Sequence, residues 1–210
     1  MIDCLYCGTF NPVHTGHLMV AQQAWWQFHQ RLNFTQITFM PAGQPPHRQH
    51  EADLLPDTLR FEMVKQAIAD NSAFSVSDLE MRPHEPATRP NYTIDTVRLL
   101  ENQKLLLRPN QPIPFIIGAD ALEKLASWKE PEGLIERLCF LQAPRPGFKP
   151  VKHIRLKGKT VTLNTHLLVM PPVAISSTWI RQCWQTAQDS SALRYLLPEA
   201  ILPLFCQPRP

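Results

Sequence analysis

Residues 8–17 read Gly8-Thr9-Phe10-Asn11-Pro12-Val13-His14-Thr15-Gly16-His17. A short apolar run, Ile2 to Cys7, comes before them and reads as a buried strand, and a helical pattern begins near Leu18. The segment therefore turns from strand to helix. In an open α/β sheet such a turn lies at the carboxyl end of the strand, where ligands bind. The helix that follows offers unpaired N–H groups and a partial positive charge to an anion. His14 and His17 add donors that can become cationic beside phosphate. Gly16 removes a side chain where a phosphate would come close. The Thr9 hydroxyl, both imidazoles and the Gly16 backbone thus make a candidate phosphate cradle. A metal site is the competing reading, but no acidic residue lies on the helix face to complete one.

Working outward, strand and helix patterns alternate. Strands are expected at Gln36–Met40, Phe74–Val76, Pro114–Ile117, Leu138–Gln142 and Leu167–Met170. Helices are expected at Leu18–Arg31, Pro56–Asp70, Ile94–Leu107 (Thr93 as N-cap), Leu134–Arg137 and Thr178–Ala187, with Leu193–Phe205 helical and broken near Pro198. This order predicts an α/β fold, a parallel sheet with helices on both faces. The 21 prolines cluster between these segments, which marks stiff loops rather than disordered ones. Residues 144–165 are polar and basic and carry no clear pattern.

Composition narrows the class. A 44% hydrophobic and 19% charged chain is that of an ordinary globular protein. A net charge of +3 suits small anionic ligands and gives no case for nucleic acid. No run reaches the ~20 apolar residues of a membrane span, so no membrane partner is expected. Asp3 and the lack of a basic N-terminal region argue against a secretory signal. An odd number of cysteines, mostly in apolar patterns, predicts reduced thiols in a cytoplasmic protein. Cys4 and Cys7 form a C-x-x-C spacing, but both fall on the first strand and no second pair completes a zinc site.

Three further segments carry chemistry. Ile175-Ser176-Ser177-Thr178-Trp179-Ile180-Arg181 opens a helix with hydroxyl residues. Ser176 or Ser177 can cap it, and its free N–H groups can hold more phosphate oxygens. Arg181 lies one turn along from Ser177 and can grip phosphate through two donors. Phe115-Ile116-Ile117-Gly118-Ala119-Asp120 delivers a glycine and a carboxylate to the sheet edge, and Trp128 follows as a flat stacking surface. Pro45-Pro46-His47-Arg48 and Arg89-Pro90-Asn91-Tyr92-Thr93-Ile94-Asp95-Thr96 supply loop side chains suited to substrate contacts.

In this order and spacing, CGTFNPVHTGH from Cys7, PPHR from Pro45, NYTIDT from Asn91, GAD from Gly118 with Trp128, and ISSTWIR from Ile175 resemble the bacterial nicotinate-mononucleotide adenylyltransferase family. The resemblance runs over nearly the whole chain. It implies one Rossmann-like nucleotidyltransferase domain over residues 1–210, with a C-terminal helical part (about 176–205) packed on it. It also implies transfer of an adenylyl group from ATP to nicotinate mononucleotide, giving deamido-NAD and pyrophosphate in NAD biosynthesis. The expected reaction is an in-line displacement at the α-phosphorus, with Mg²⁺ bound to ATP. By the same resemblance His14, His17 and Arg181 are catalytic. Gly8, Thr9, Phe10, Gly16, Gly118, Asp120, Ser177 and Thr178 surround ATP, and His47, Arg48, Tyr92, Thr93 and Trp128 face the pyridine nucleotide.

The chain departs from the family pattern at Cys7 (glycine in the family), at Asn11 (aspartate in the family) and in an extra loop, His84–Thr88. The alternatives are an adenylyltransferase acting on nicotinamide mononucleotide or another phosphate monoester, and a non-catalytic nucleotide-binding regulator. Whether the chain forms a homo-oligomer is left open by the sequence.

Overall fold

The computed structural model describes residues 1–45, 53–81 and 90–207. Its centre is a six-stranded parallel sheet built from β1 (Cys4–Gly8), β2 (Ile37–Pro41), β3 (Phe74–Val76), β4 (Ile113–Gly118), β5 (Leu138–Ala143) and β8 (Thr165–Leu167). The strand order is β3-β2-β1-β4-β5-β8. Crossovers are made by α1 (Thr15–Phe28), α2 (Asp57–Ala67), α3 (Thr93–Asn102), the short α4 (Ala119–Leu122) and α5 (Pro131–Arg137). This is the α/β architecture that the alternating patterns predict, with boundaries shifted by a few residues.

Side chains alternate across the strands and divide the core in two. On β1, Cys4 and Tyr6 face one cluster, with Val20, Ala24, Phe39 and Met63, while Leu5 and Cys7 face the other, with Ile94, Val97, Phe115 and Phe140. Both sheet faces are therefore covered, which is why these strands read as continuous apolar runs. All five cysteines are free thiols. Among the described residues no helix is long and apolar enough to cross a membrane.

Chain direction sets the site. From β1 the sheet grows through β2 and β3 on one side, and from β4 through β5 and β8 on the other. β1 and β4 are direct neighbours, with Leu5 opposite Phe115. The crevice beyond their carboxyl ends is the switch point of the sheet.

Two regions differ from the sequence expectation. Residues 144–165 contain an antiparallel hairpin, β6 (His153–Leu156) with β7 (Lys159–Thr162). Ile154 and Leu156 point into the second core cluster while His153 and Arg155 are exposed. Lys157 and Gly158 both take positive φ, 48° and 80°, as a two-residue hairpin turn requires. After α6 (Ser177–Ala187) the chain makes 3₁₀ turns at Ser190–Leu193 and Glu199–Ile201 and one helical turn, α7 (Leu202–Phe205), in place of a longer helix. Tertiary burial of Leu193, Leu197, Ile201 and Phe205 in the first cluster holds these short pieces. At the β8 end, the Gln27 side chain donates to the Val169 carbonyl (3.1 Å) and accepts from its N–H (2.9 Å).

Arg60 ties the loops above the sheet together. It has no exposed surface, and its guanidinium donates to three backbone carbonyls: Leu55 (3.0 Å), Thr9 (2.7 Å) and Gly43 (3.1 Å). Burial pulls its pKa down to about 10, still well above neutrality. Replacing Arg60 by leucine strands those carbonyls in a dry interior. The expected loss is about 3–5 kcal/mol of unfolding free energy in urea titrations, and a loss below about 1 kcal/mol would contradict this role.

Candidate active site

After β1 the chain turns sharply into α1. Phe10 makes the turn with φ 48°, a backbone region that bulky L-residues rarely adopt. Its ring is buried against Tyr6, Phe39 and His17, at centroid distances of 5.5, 5.7 and 5.1 Å. Packing thus over-determines a strained backbone, as functional turns require.

The carbonyls of this turn are bonded to groups behind it. Thr9 O accepts from Arg60. Asn11 O accepts from Arg181 Nη1 at 2.8 Å, and Pro12 O accepts from Ser177 Oγ at 2.9 Å. Asn11, 1% exposed, reaches across to the following loop: its Nδ2 donates to Asp53 O (3.1 Å) and its Oδ1 accepts from Leu55 N–H (3.0 Å). An ionised aspartate could accept from Leu55 but could not donate to Asp53. The asparagine in place of the family's aspartate therefore has a local structural use.

The two histidines are stacked, with ring centroids 3.7 Å apart. The His14 N–H donates to His17 Nδ1 at 3.2 Å. His17 Nδ1 is therefore unprotonated and the proton of the neutral ring sits on Nε2. His14 Nδ1 is buried over the start of α1, beside Gly16. Burial, and then the nearby Arg145 guanidinium, push the His14 pKa down to about 3. Burial, His14 and Arg145 hold His17 well below its usual range. At neutral pH both imidazoles present N–H donors without charge.

Two adjoining hollows open at the switch point. One, of about 360 Å³, lies between the ends of β1 and β4 and is lined by Gly8, Tyr92, Thr93, Gly118 and Trp128. The other, of about 490 Å³, is lined by His14, Val173, Ser177 and Thr178. Thr9, Phe10, His17, Asp120 and Arg145 border both, so the two form one continuous crevice. α6 presents its N-terminus there, capped by Ser176 Oγ accepting from Trp179 N–H at 3.2 Å. At α3 the N-cap is Tyr92, and Thr93 is the first helical residue rather than the cap.

Most of the residues singled out in the sequence meet in this crevice, but two do not. Arg181 does not line it. Its guanidinium is bound behind the turn, with Nε 2.6 Å from Asp53 Oδ2 and Nη1 on the Asn11 carbonyl. Gly16 is also needed for a different reason from the expected one. A Cβ there would come within 2.7 Å of Val173 Cγ1 and 3.0 Å of His14 Nδ1, so protein atoms, not a ligand, fill the space it leaves. His47, Arg48 and the loop His84–Thr88 lie outside the described residues.

Three residues escaped the sequence reading. Arg145 follows β5 at the same carboxyl edge of the sheet, where the strand-end rule applied to Gly8 and Gly118 would have found it. Its Nε lies 3.6 Å from Asp120 Oδ1, and its Nη1 donates to Val173 O at 3.3 Å. Lys129 is paired with both oxygens of Asp95 (2.9 and 2.8 Å) and sits 4.9 Å above the Tyr92 ring. Glu80, 5% exposed, borders the first hollow and accepts from Thr96 Oγ1 at 2.6 Å. No sequence signal marks it.

Comparison with known proteins identifies the family. A family profile described as cytidylyltransferase-like matches residues 5–183. The chain is 40% identical over 196 residues to a protein of Synechococcus sp. (strain JA-3-3Ab) named "Probable nicotinate-nucleotide adenylyltransferase", covering 92% of this chain and 86% of the relative. A protein of the same name from Desulfitobacterium hafniense (strain Y51) is 38% identical over 197 residues, 92% of this chain and 87% of the relative. Among solved structures, the fold is similar to that of Plasmodium falciparum nicotinic acid mononucleotide adenylyltransferase complexed with NaAD. That match has a TM-score of 0.70 at 21% identity and covers 96% of this chain and 92% of the other.

Glu80 gives the crevice a pH signature. Burial raises its pKa from 4.5 to about 7, against the lowering effect of the Thr96 hydrogen bond. The unfolded chain loses this proton near pH 4.5 and the folded chain keeps it to about 7, so the group's stabilising contribution is lost as pH rises through that window. Relative to Glu80→Gln, the wild-type protein should lose about 2–3 kcal/mol of unfolding free energy between those limits. Chemical denaturation of both proteins across the window measures this, and a pH-independent difference would refute it.

Proposed function

The chain belongs to the cytidylyltransferase-like family and, within it, to the nicotinate-nucleotide adenylyltransferases, and on that premise we propose that it joins ATP to nicotinate mononucleotide, giving deamido-NAD and pyrophosphate. The observation that carries the reading is the crevice at the switch point, where a tautomer-fixed His17 borders both hollows. One hollow is bounded by aromatic and hydroxyl groups, the other by the start of a helix.

In this reading a phosphate oxygen of nicotinate mononucleotide attacks the α-phosphorus of ATP. A new P–O bond forms, the bond to the bridging β-oxygen breaks, and pyrophosphate leaves with the electron pair. The attacking phosphate is already anionic, so no general base is needed. The protein's task is alignment and charge stabilisation. His17 Nε2–H and the neutral His14 ring, which lines the second hollow, donate to phosphate oxygens. Thr9, Ser177 and Thr178 border the same hollow, although the Ser177 proton already serves Pro12. Gly118 and Asp120 face the adenosine, and Tyr92, Thr93 and Trp128 face the pyridine nucleotide, a substrate to which the family resemblance also assigns His47 and Arg48. Arg181 acts from behind, holding the turn through the Asn11 carbonyl.

Mg²⁺ fits as an ion that arrives on the triphosphate. Such a cation is ligated by phosphate oxygens and water. When bound it supplies neutralisation of phosphate charge. The free thiols and the metabolic reaction are in keeping with a cytoplasmic enzyme.

Pyrophosphate release from ATP plus nicotinate mononucleotide tests the activity. His17→Ala should lower turnover ~10²–10³-fold while thermal unfolding stays cooperative, and near-normal turnover by the folded variant would remove His17 from the mechanism. Side-by-side kcat/KM values should favour nicotinate over nicotinamide mononucleotide, since donors placed for a carboxylate reject its neutral analogue. A preference for the amide would overturn the substrate choice.

A further inference from the structure

We propose that Arg145, not Arg181, is the guanidinium that meets the phosphates of ATP, and that it does so by leaving Asp120. The inference rests on the adenylyl-transfer reading and names the cation that this reading requires.

Three observations carry it. First, the hollow holding His14, Ser177 and Thr178 is bordered by one Lys or Arg among the described residues, and that residue is Arg145. Second, the competing cations among the described residues, Arg181 and Lys129, are occupied. Arg181 is 8% exposed at its side chain and held by Asp53 at 2.6 Å and by the Asn11 carbonyl, so moving it would leave a backbone acceptor stranded. Lys129 is held by both oxygens of Asp95. Third, Arg145 is the more loosely engaged: its Nη1 bond to Val173 O is 3.3 Å, against 2.8 Å for Arg181 on Asn11 O. Its distance of 3.6 Å to Asp120 is long for a charge-assisted hydrogen bond, and the two side chains are 28% and 43% exposed. Such a pair contributes little to stability and is easily exchanged for a better anion.

The position also suits a substrate that spans both hollows. Arg145 and Asp120 stand together at the seam. Gly118 makes room for them: a Cβ there would fall 2.4 Å from Asp120 Oδ1 and 3.3 Å from Arg145 Nε. A triphosphate drawing Arg145 toward the histidines frees the Asp120 carboxylate to accept hydrogen bonds from ribose hydroxyls. The neutral state of His14 and His17 adds a reason for a guanidinium. With no charge on either imidazole, Arg145 is the permanent positive charge bordering this hollow among the described residues.

The test is calorimetric titration of wild-type protein, Arg145→Gln and Arg145→Lys with α,β-methylene-ATP and, separately, with adenosine. The expected result is a rise in Kd for the ATP analogue of roughly 10- to 100-fold in Arg145→Gln, partly restored in Arg145→Lys, with adenosine binding unchanged. Unchanged affinity for the ATP analogue overturns the proposal. Equal losses for both ligands also overturn it, because Arg145 would then act only by holding Asp120 or the fold. Pyrophosphate release by the wild-type protein is measured alongside. Its failure would count against the adenylyl-transfer reading, while the binding comparison decides the assignment of Arg145.

Discussion

The crevice depends on carbonyl oxygens being turned away from it. A tight turn that is to receive an anion must present N–H groups and hide its acceptors, and acceptors hidden in a dry interior need donors. Here buried guanidinium groups and a hydroxyl supply them: Arg60 for Thr9, Arg181 for Asn11 and Ser177 for Pro12. A guanidinium suits this work because it keeps its charge when buried and offers several donors in a fixed plane. The same Arg60 also holds Gly43 and Leu55, so loops after β1 and β2 and the entry to α2 share one anchor. Without it the strained backbone at Phe10 would lose its anchor on the Thr9 side and rest on ring packing and the bonds at Asn11 and Pro12.

Much of this was legible in the residues. Strands whose two faces are both covered show as apolar runs, and Gly8 and Gly118 end two of them at the same edge of the sheet, so the location of the crevice could be read from the pattern alone. The hairpin at 153–162 was harder. Its period-two signal spans only Ile154 and Leu156, beside a Lys157-Gly158 turn set among many basic residues. The C-terminal turns gave no better signal, because apolar spacing there matches a helix while Pro198 and Pro203 divide it into pieces that only tertiary packing sustains. The partners of Arg181 could not be read at all. Its link to Asp53 crosses 128 positions of chain, and no local rule connects them.

Charge is distributed in the site in a way that residue type conceals. Histidine pairs suggest positive charge, yet these two are stacked, buried and close to a guanidinium, and all three conditions favour the neutral ring. What remains is directional: one tautomer of His17, fixed by a backbone N–H, beside a neutral His14 ring. Gly16 belongs to the same arrangement, since the missing side chain lets Val173 and the His14 ring close on the helix start.

The amide of Gln27 has a bearing on the protein's behaviour at high concentration. By offering both a donor and an acceptor to Val169, it imitates one rung of a neighbouring strand just past the open border of the sheet. Val169 is 81% exposed, and an apolar residue with unsatisfied peptide groups at a border is what recruits another molecule into a continuous ladder. Occupying those groups from within makes self-templated aggregation at that border less favourable while leaving the border free of added charge.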